Sequence, residues 1–78
     1  VKGKYEWLRG NRDKARRSWQ SSLHEAEILG LSYDAAMAHF ELGYRFENRE
    51  HLEKAEAIFS DIGAEFDAAK TRELLEPA

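Results

Sequence analysis

The sequence predicts an all-α chain of antiparallel helical hairpins, and three observations lead there. Apolar residues recur at intervals of three and four along nearly the whole length. Each such stretch stops at a glycine or a short polar string. No segment alternates between apolar and polar for long enough to make a strand.

In chain order, residues 1–9 read as the last turns of a helix with Tyr5 and Leu8 turned inward. Gly3 lowers helix propensity there by about 1 kcal/mol relative to alanine. Asn11 is a good N-cap for the next helix, and Asp13 sits in its first turn, where the helix dipole favours an anion. Ala15, Trp19, Leu23, Ala26 and Leu29 then form one apolar stripe. Gly30 fits the left-handed position beyond a helix end, with Leu31 making the hydrophobic contact that goes with it. This helix is predicted over 12–29.

Ser32 caps the following helix, with Asp34 in its first turn. Predicted over 33–48, it is apolar on two sides: Ala36, His39, Leu42, Gly43 and Phe46 on one, Met37, Phe40 and Tyr44 on the other. A surface helix carries a single stripe, so this one has two neighbours, or one neighbour and a ligand. Glu47 to Glu50 mark a tight connection. Leu52, Ala55, Phe59 and Ile62 define a helix over 50–62, stopped by Gly63. A last segment, 65–75, carries Phe66, Ala69, Leu74 and Leu75, and Pro77 ends it. Pairs four residues apart (Asp13 and Arg17, Glu41 and Arg45, Glu50 and Lys54) support the exposed faces by roughly 0.3 kcal/mol each.

Composition narrows the function classes. The 78 residues make one small domain with no room for a second core. Being 42% hydrophobic with nine aromatics, the chain is apolar enough to fold. The absence of cysteine excludes disulfides, thiolate metal sites and thiol catalysis, and suits a reducing, cytoplasmic setting. No apolar run approaches the ~20 residues of a membrane span, and no signal-peptide core is present. The chain starts at Val1 in sequence that already reads as structured, as a piece of a longer protein would. Its net charge of −3 hides an asymmetry. Arg9, Arg12, Lys14, Arg16 and Arg17 stand against the single acid Asp13, whereas the second half is acidic. Such a patch meets an acidic partner or nucleic acid.

Two stretches look alike. Lys14-Ala15 stands four residues before Trp19 in a helix ending at Leu29-Gly30, and Lys54-Ala55 stands four before Phe59 in one ending at Ile62-Gly63. The two alanines are 40 residues apart in sequence, a period typical of stacked helical hairpins. Leu42-Gly43, Phe46, Ala55 and Phe59 stand at the spacings of the tetratricopeptide (TPR) repeat, which this stretch resembles. Gly43 and Ala55 are small where two helices cross closely, and Phe46 and Phe59 fill the gaps beside them. The first repeat matches at Gly10, Ala15 and Trp19, and its first helix is truncated. The resemblance implies a short TPR-like right-handed solenoid. Residues 1–30 would be a truncated repeat, 31–63 a second repeat and 64–78 a capping helix. Trp7 to Gly10, Glu41-Leu42-Gly43 and the late Ile58 to Ala64 also resemble the C-terminal helical repeats of large bacterial signalling proteins with cyclase, kinase or ATPase modules.

In TPR arrays the first helix of each pair lines a concave groove that holds a protein or peptide partner. Carried over, the pattern assigns Met37, Phe40, Tyr44 and Glu47 to that groove, at i, i+3, i+7 and i+10 on one helical face. Two alternatives stand beside it: the strip packs as core against 65–75, or the chain caps a solenoid and self-associates into a homodimer. The basic run 9–17 reads first as a solvated helix face and only second as a nucleic-acid contact. His24, His39 and His51 lack two-histidine metal spacing, with His39 reading as a hydrogen-bonded core histidine. No serine, aspartate or glutamate joins a histidine in a catalytic pattern, and no glycine loop cradles a phosphate. The expectation is a non-catalytic module with no cofactor and no metal.

Overall fold

A computed structural model describes residues 2–76, and for Lys2, Gly3 and Tyr5 it describes the backbone alone. The placements expected of Tyr5 and Pro77 lie outside the described residues. Five helices follow one another: α1 (Lys2–Leu8), α2 (Arg12–Leu29), α3 (Ser32–Arg45), α4 (Arg49–Asp61) and α5 (Glu65–Leu75). No strand occurs among the described residues.

Four helices end in the same way. The amide of Asn11 donates to the Glu6 carbonyl at 2.9 Å, that of Leu31 to Ala26 at 2.9 Å, that of Asn48 to Gly43 at 3.0 Å and that of Ala64 to Phe59 at 2.8 Å. Each bond spans five residues and closes over a left-handed residue, as in the Schellman motif. At three of the ends that residue is Gly10, Gly30 or Gly63, with φ of 82°, 71° and 79°. At the end of α3 it is Glu47, with φ of 52°. A side chain in this conformation crowds its own backbone and costs on the order of 1 kcal/mol.

Helix starts depart from expectation. Asn11 makes no cap; its Nδ2 donates to Glu6 Oε2 at 3.0 Å, tying α1 to the turn and drawing the side chain away from the amides of α2. Ser32 is the first helical residue rather than the cap, and Leu31 holds the cap position. Asn48 does cap, its Oδ1 accepting from the His51 amide at 3.3 Å.

Connections of two or three residues fold each helix back on its predecessor. The start of α2 meets the end of α3, where Arg12 Nη2 reaches the Arg45 carbonyl at 3.5 Å. The start of α4 meets the end of α5, where Arg49 Nη1 donates to the Leu75 carbonyl at 2.9 Å. Extended packing joins α1 to α2, α2 to α3, α3 to α4 and α4 to α5.

The core has two centres. Ala36 and Phe40 of α3, Leu52, Ala55 and Phe59 of α4, and Ala68 of α5 make the larger. Ala15 and Trp19 of α2 with Leu42 of α3 make the smaller, flanked by Trp7, Leu23 and Phe46. Between α3 and α4 the backbones nearly touch at Gly43, where a β-carbon would lie 2.6 Å from Leu52 Cγ and 2.8 Å from the Leu52 amide nitrogen. Leu8 is 75% exposed, not inward. Among the described side chains of α1 it is its neighbour Trp7 that turns inward, edge-on to Phe46 with centroids 5.4 Å apart, and one step around a helix turns the next side chain about 100° away. Of the three side-chain pairs, Glu41 and Arg45 meet at 2.6 Å and Glu50 and Lys54 at 3.6 Å, whereas Asp13 and Arg17 form no ion pair.

Candidate partner-binding surface

The four residues of the anticipated strip go to different places. Met37 is 37% exposed on the α2 side of α3. Phe40 is buried in the larger core, with Lys70 of α5 5.4 Å over its ring. For this residue the alternative of packing against the last helix describes the structure. Tyr44 is exposed and stacks on Phe40, centroids 5.8 Å apart and planes 17° apart. Glu47 is exposed but lies beyond the end of α3 at Arg45, so it shares no helical face with the other three. Its left-handed backbone ends the helix two residues before the position that would have completed the strip.

An open trough of about 490 Å³ runs between α2 and α3, and Lys4 of α1 reaches its edge. Trp19, Ala26 and Leu29 form one wall, and Leu31, Met37 and Ala38 the other. Leu29 and Leu31 are 62% and 45% exposed, so the apolar lining is open to solvent at the Gly30 end. Glu25, Asp34, Glu41 and Arg45 supply a charged rim. Leu29 was expected on the apolar stripe of α2 and Leu31 in the contact that closes its end, yet both stand open to solvent. Two leucines flanking an exposed glycine turn were a signal of apolar surface that the periodicity left without a partner.

At the opposite end of α2, the basic run is partly sequestered by aromatic rings. The Arg12 guanidinium lies 4.8 Å from the Trp7 ring centre and that of Arg16 lies 4.7 Å from Phe46. Arg45 lies 5.1 Å from Trp7 and 5.4 Å from Trp19. Trp7, Trp19 and Phe46 in turn pack on one another with centroids 5.4 to 6.2 Å apart.

His39 and His51, on different helices and twelve residues apart, meet with Nδ1 atoms 2.9 Å apart. One ring donates and the other accepts, so the neutral pair holds opposite tautomers. With centroids 5.1 Å apart, the two nitrogens lie between the rings and point at each other rather than converging on a third point. Burial lowers the pKa of both, reinforced at His39 by His51 and Lys54 and at His51 by Lys54; Glu27 and Glu50 pull the other way. No group of three or more metal-ligating side chains occurs among the described residues. No described helix is long and apolar enough to cross a membrane.

No protein-family model matches the chain, and no curated protein or solved structure matches it either.

Proposed function

We propose that the chain is a non-catalytic protein–protein interaction segment of TPR type that holds a helix or peptide of a partner in the trough between α2 and α3. It would serve as part of a larger cytoplasmic protein, of the bacterial signalling kind that its repeats resemble. The observation that carries this reading is the exposed apolar lining of Leu29, Leu31 and Met37 over a floor reaching Trp19. Apolar side chains grouped in a concave surface with a charged rim suit an amphipathic segment, apolar side down. Gly43 and Ala55 at the helix crossing, with Phe59 beside them, support the repeat reading, because these positions carry the resemblance and have the packing it requires.

A second reading, self-association, is favoured by Phe66, which is 80% exposed in the first turn of α5. A photo-crosslinking residue placed at position 37 or at position 66 of the full-length parent protein separates the two. The groove reading expects crosslinks to a different protein from position 37, lost in the Leu31→Glu variant. Crosslinks between two copies from position 66 alone would favour self-association. Undiminished partner crosslinking in Leu31→Glu, with circular dichroism unchanged, would sink the groove.

A further inference from the structure

The stacked arginines have a use beyond the trough. Arg12 and Arg16 sit one turn apart on α2, exposed, with no carboxylate within ion-pair distance among the described residues. Each guanidinium rests on a ring, Arg12 on Trp7 and Arg16 on Phe46, and Arg12 also lies 6.0 Å from Phe46. Stacking of this kind holds the face of the guanidinium and leaves its edges for hydrogen bonds; at Arg12 one Nη2 donor reaches the Arg45 carbonyl at 3.5 Å and the remaining donors stay available. An arginine held in this way loses less freedom when it forms a two-pronged bond to a carboxylate. Arg45 joins the cluster, with Glu41 at 2.6 Å neutralising part of its charge. The amides of the first turn of α2 have no side-chain cap, so the positive end of the helix dipole adds to the field at the same edge.

We propose that Arg12 and Arg16, supported on Trp7 and Phe46, form a docking surface for an acidic segment of a protein partner, bound through its aspartate and glutamate carboxylates. This surface is separate from the apolar lining of the trough and stands whether or not the trough is occupied. The rings argue against nucleic acid as the occupant. Single-stranded binding needs open aromatic faces on which bases stack, but Trp19 is 3% exposed and Trp7 and Phe46 are covered by guanidinium groups. A net charge of −3 also repels a long polyanion more than it repels a short acidic stretch.

The test is fluorescence anisotropy of the full chain with a labelled peptide carrying a run of glutamates, and with the same peptide carrying glutamines. The glutamate peptide is expected to bind and the glutamine peptide not to bind. Binding should fall steeply as salt is raised from about 0.1 M to about 1 M. Arg12→Gln with Arg16→Gln should weaken binding roughly tenfold or more, as loss of charge-assisted bonds requires. Lys14→Gln with Arg17→Gln makes the same charge change on the same helix away from the rings and should weaken binding less than about threefold. The lysine pair, Arg12→Lys with Arg16→Lys, keeps the charge and should lie between the wild type and the glutamine pair. Circular dichroism checks that all of these variants stay folded. Equal weakening in the two glutamine pairs, equal binding of the glutamine peptide, absence of binding to either peptide, or tighter binding of a single-stranded oligonucleotide would each overturn the proposal.

Discussion

His39 of α3 and His51 of α4 share one hydrogen bond between like atoms, Nδ1 to Nδ1 at 2.9 Å. Such a bond survives with both rings neutral or with one proton added, but not with two, because a doubly protonated pair has two donors and no acceptor. Burial holds both rings below the ordinary histidine value, so protons bind the unfolded chain more readily than the folded one.

Stability should therefore be full above the unfolded histidine value of about 6.5 and decline as pH falls below it towards the depressed folded values. Urea unfolding at about pH 7.5 and about pH 5.5 checks this, with a lower midpoint expected at the acid value. The double variant His39→Asn, His51→Asn should flatten the difference between the two. An unchanged slope in that variant would mean that other groups set the pH dependence.

Glu47 occupies a backbone position that glycine holds at the three other helix ends. Glu47→Gly should relieve the left-handed strain and raise stability by about 0.5–1 kcal/mol, after allowing for the looser unfolded chain. Glu47→Val should lower it, since branching at the β-carbon worsens the same clash. Chemical denaturation of the two variants beside the wild type reads both signs.

Gly43 makes the opposite case. Alanine would ordinarily strengthen a helix interior by about 1 kcal/mol. Here its β-carbon would meet both the side chain and the amide nitrogen of Leu52, at 2.6 and 2.8 Å. Backbone cannot rotate away, so Gly43→Ala should instead cost about 1–3 kcal/mol by forcing α3 and α4 apart. A gain in thermal midpoint would show that the crossing is looser than described.

Phe59 is 1% exposed and lies edge-on to Tyr33, centroids 5.7 Å apart. Phe59→Ala should cost about 3–5 kcal/mol, enough to leave a domain of this size largely unfolded by circular dichroism. Phe66→Ser, at the exposed start of the adjacent helix, should stay within about 0.5 kcal/mol of wild type.

The helices were legible because their signals are local. Gly30 and Gly63 marked the ends of α2 and α4, and Ala15, Trp19 and Ala26 drew a stripe that the core of the fold buries. Gly43 could be read too, since a small residue among large ones on a helix face implies close approach. What escaped depends on neighbours distant in sequence. Asn11 has the chemistry of a cap, but Glu6 competes for its side chain. His39 and His51 lie on different helices, so no spacing within one helix could pair them. Arg12 and Arg16 look solvated until Trp7 of α1 and Phe46, just past the end of α3, arrive to lie beneath them. Glu47 falls both in the predicted span 33–48 and in the polar connection 47–50, and its left-handed backbone, which no side-chain pattern announces, makes it the stop.

Among the described residues the extended packing joins helices that are neighbours in the chain, while α3 also reaches α5 where Ala36 and Phe40 share a core with Ala68 and the Tyr33 hydroxyl donates to Asp67 at 3.1 Å. The consequence is kinetic. Every large contact closes a short loop, so little chain entropy is lost before the contact forms, and folding should proceed in microseconds to milliseconds. It should also begin between α3 and α4, where Gly43 lets the backbones meet, and spread outward one helix at a time. Amide hydrogens of α1 would then exchange with solvent soonest, and those around Leu52 and Phe59 last.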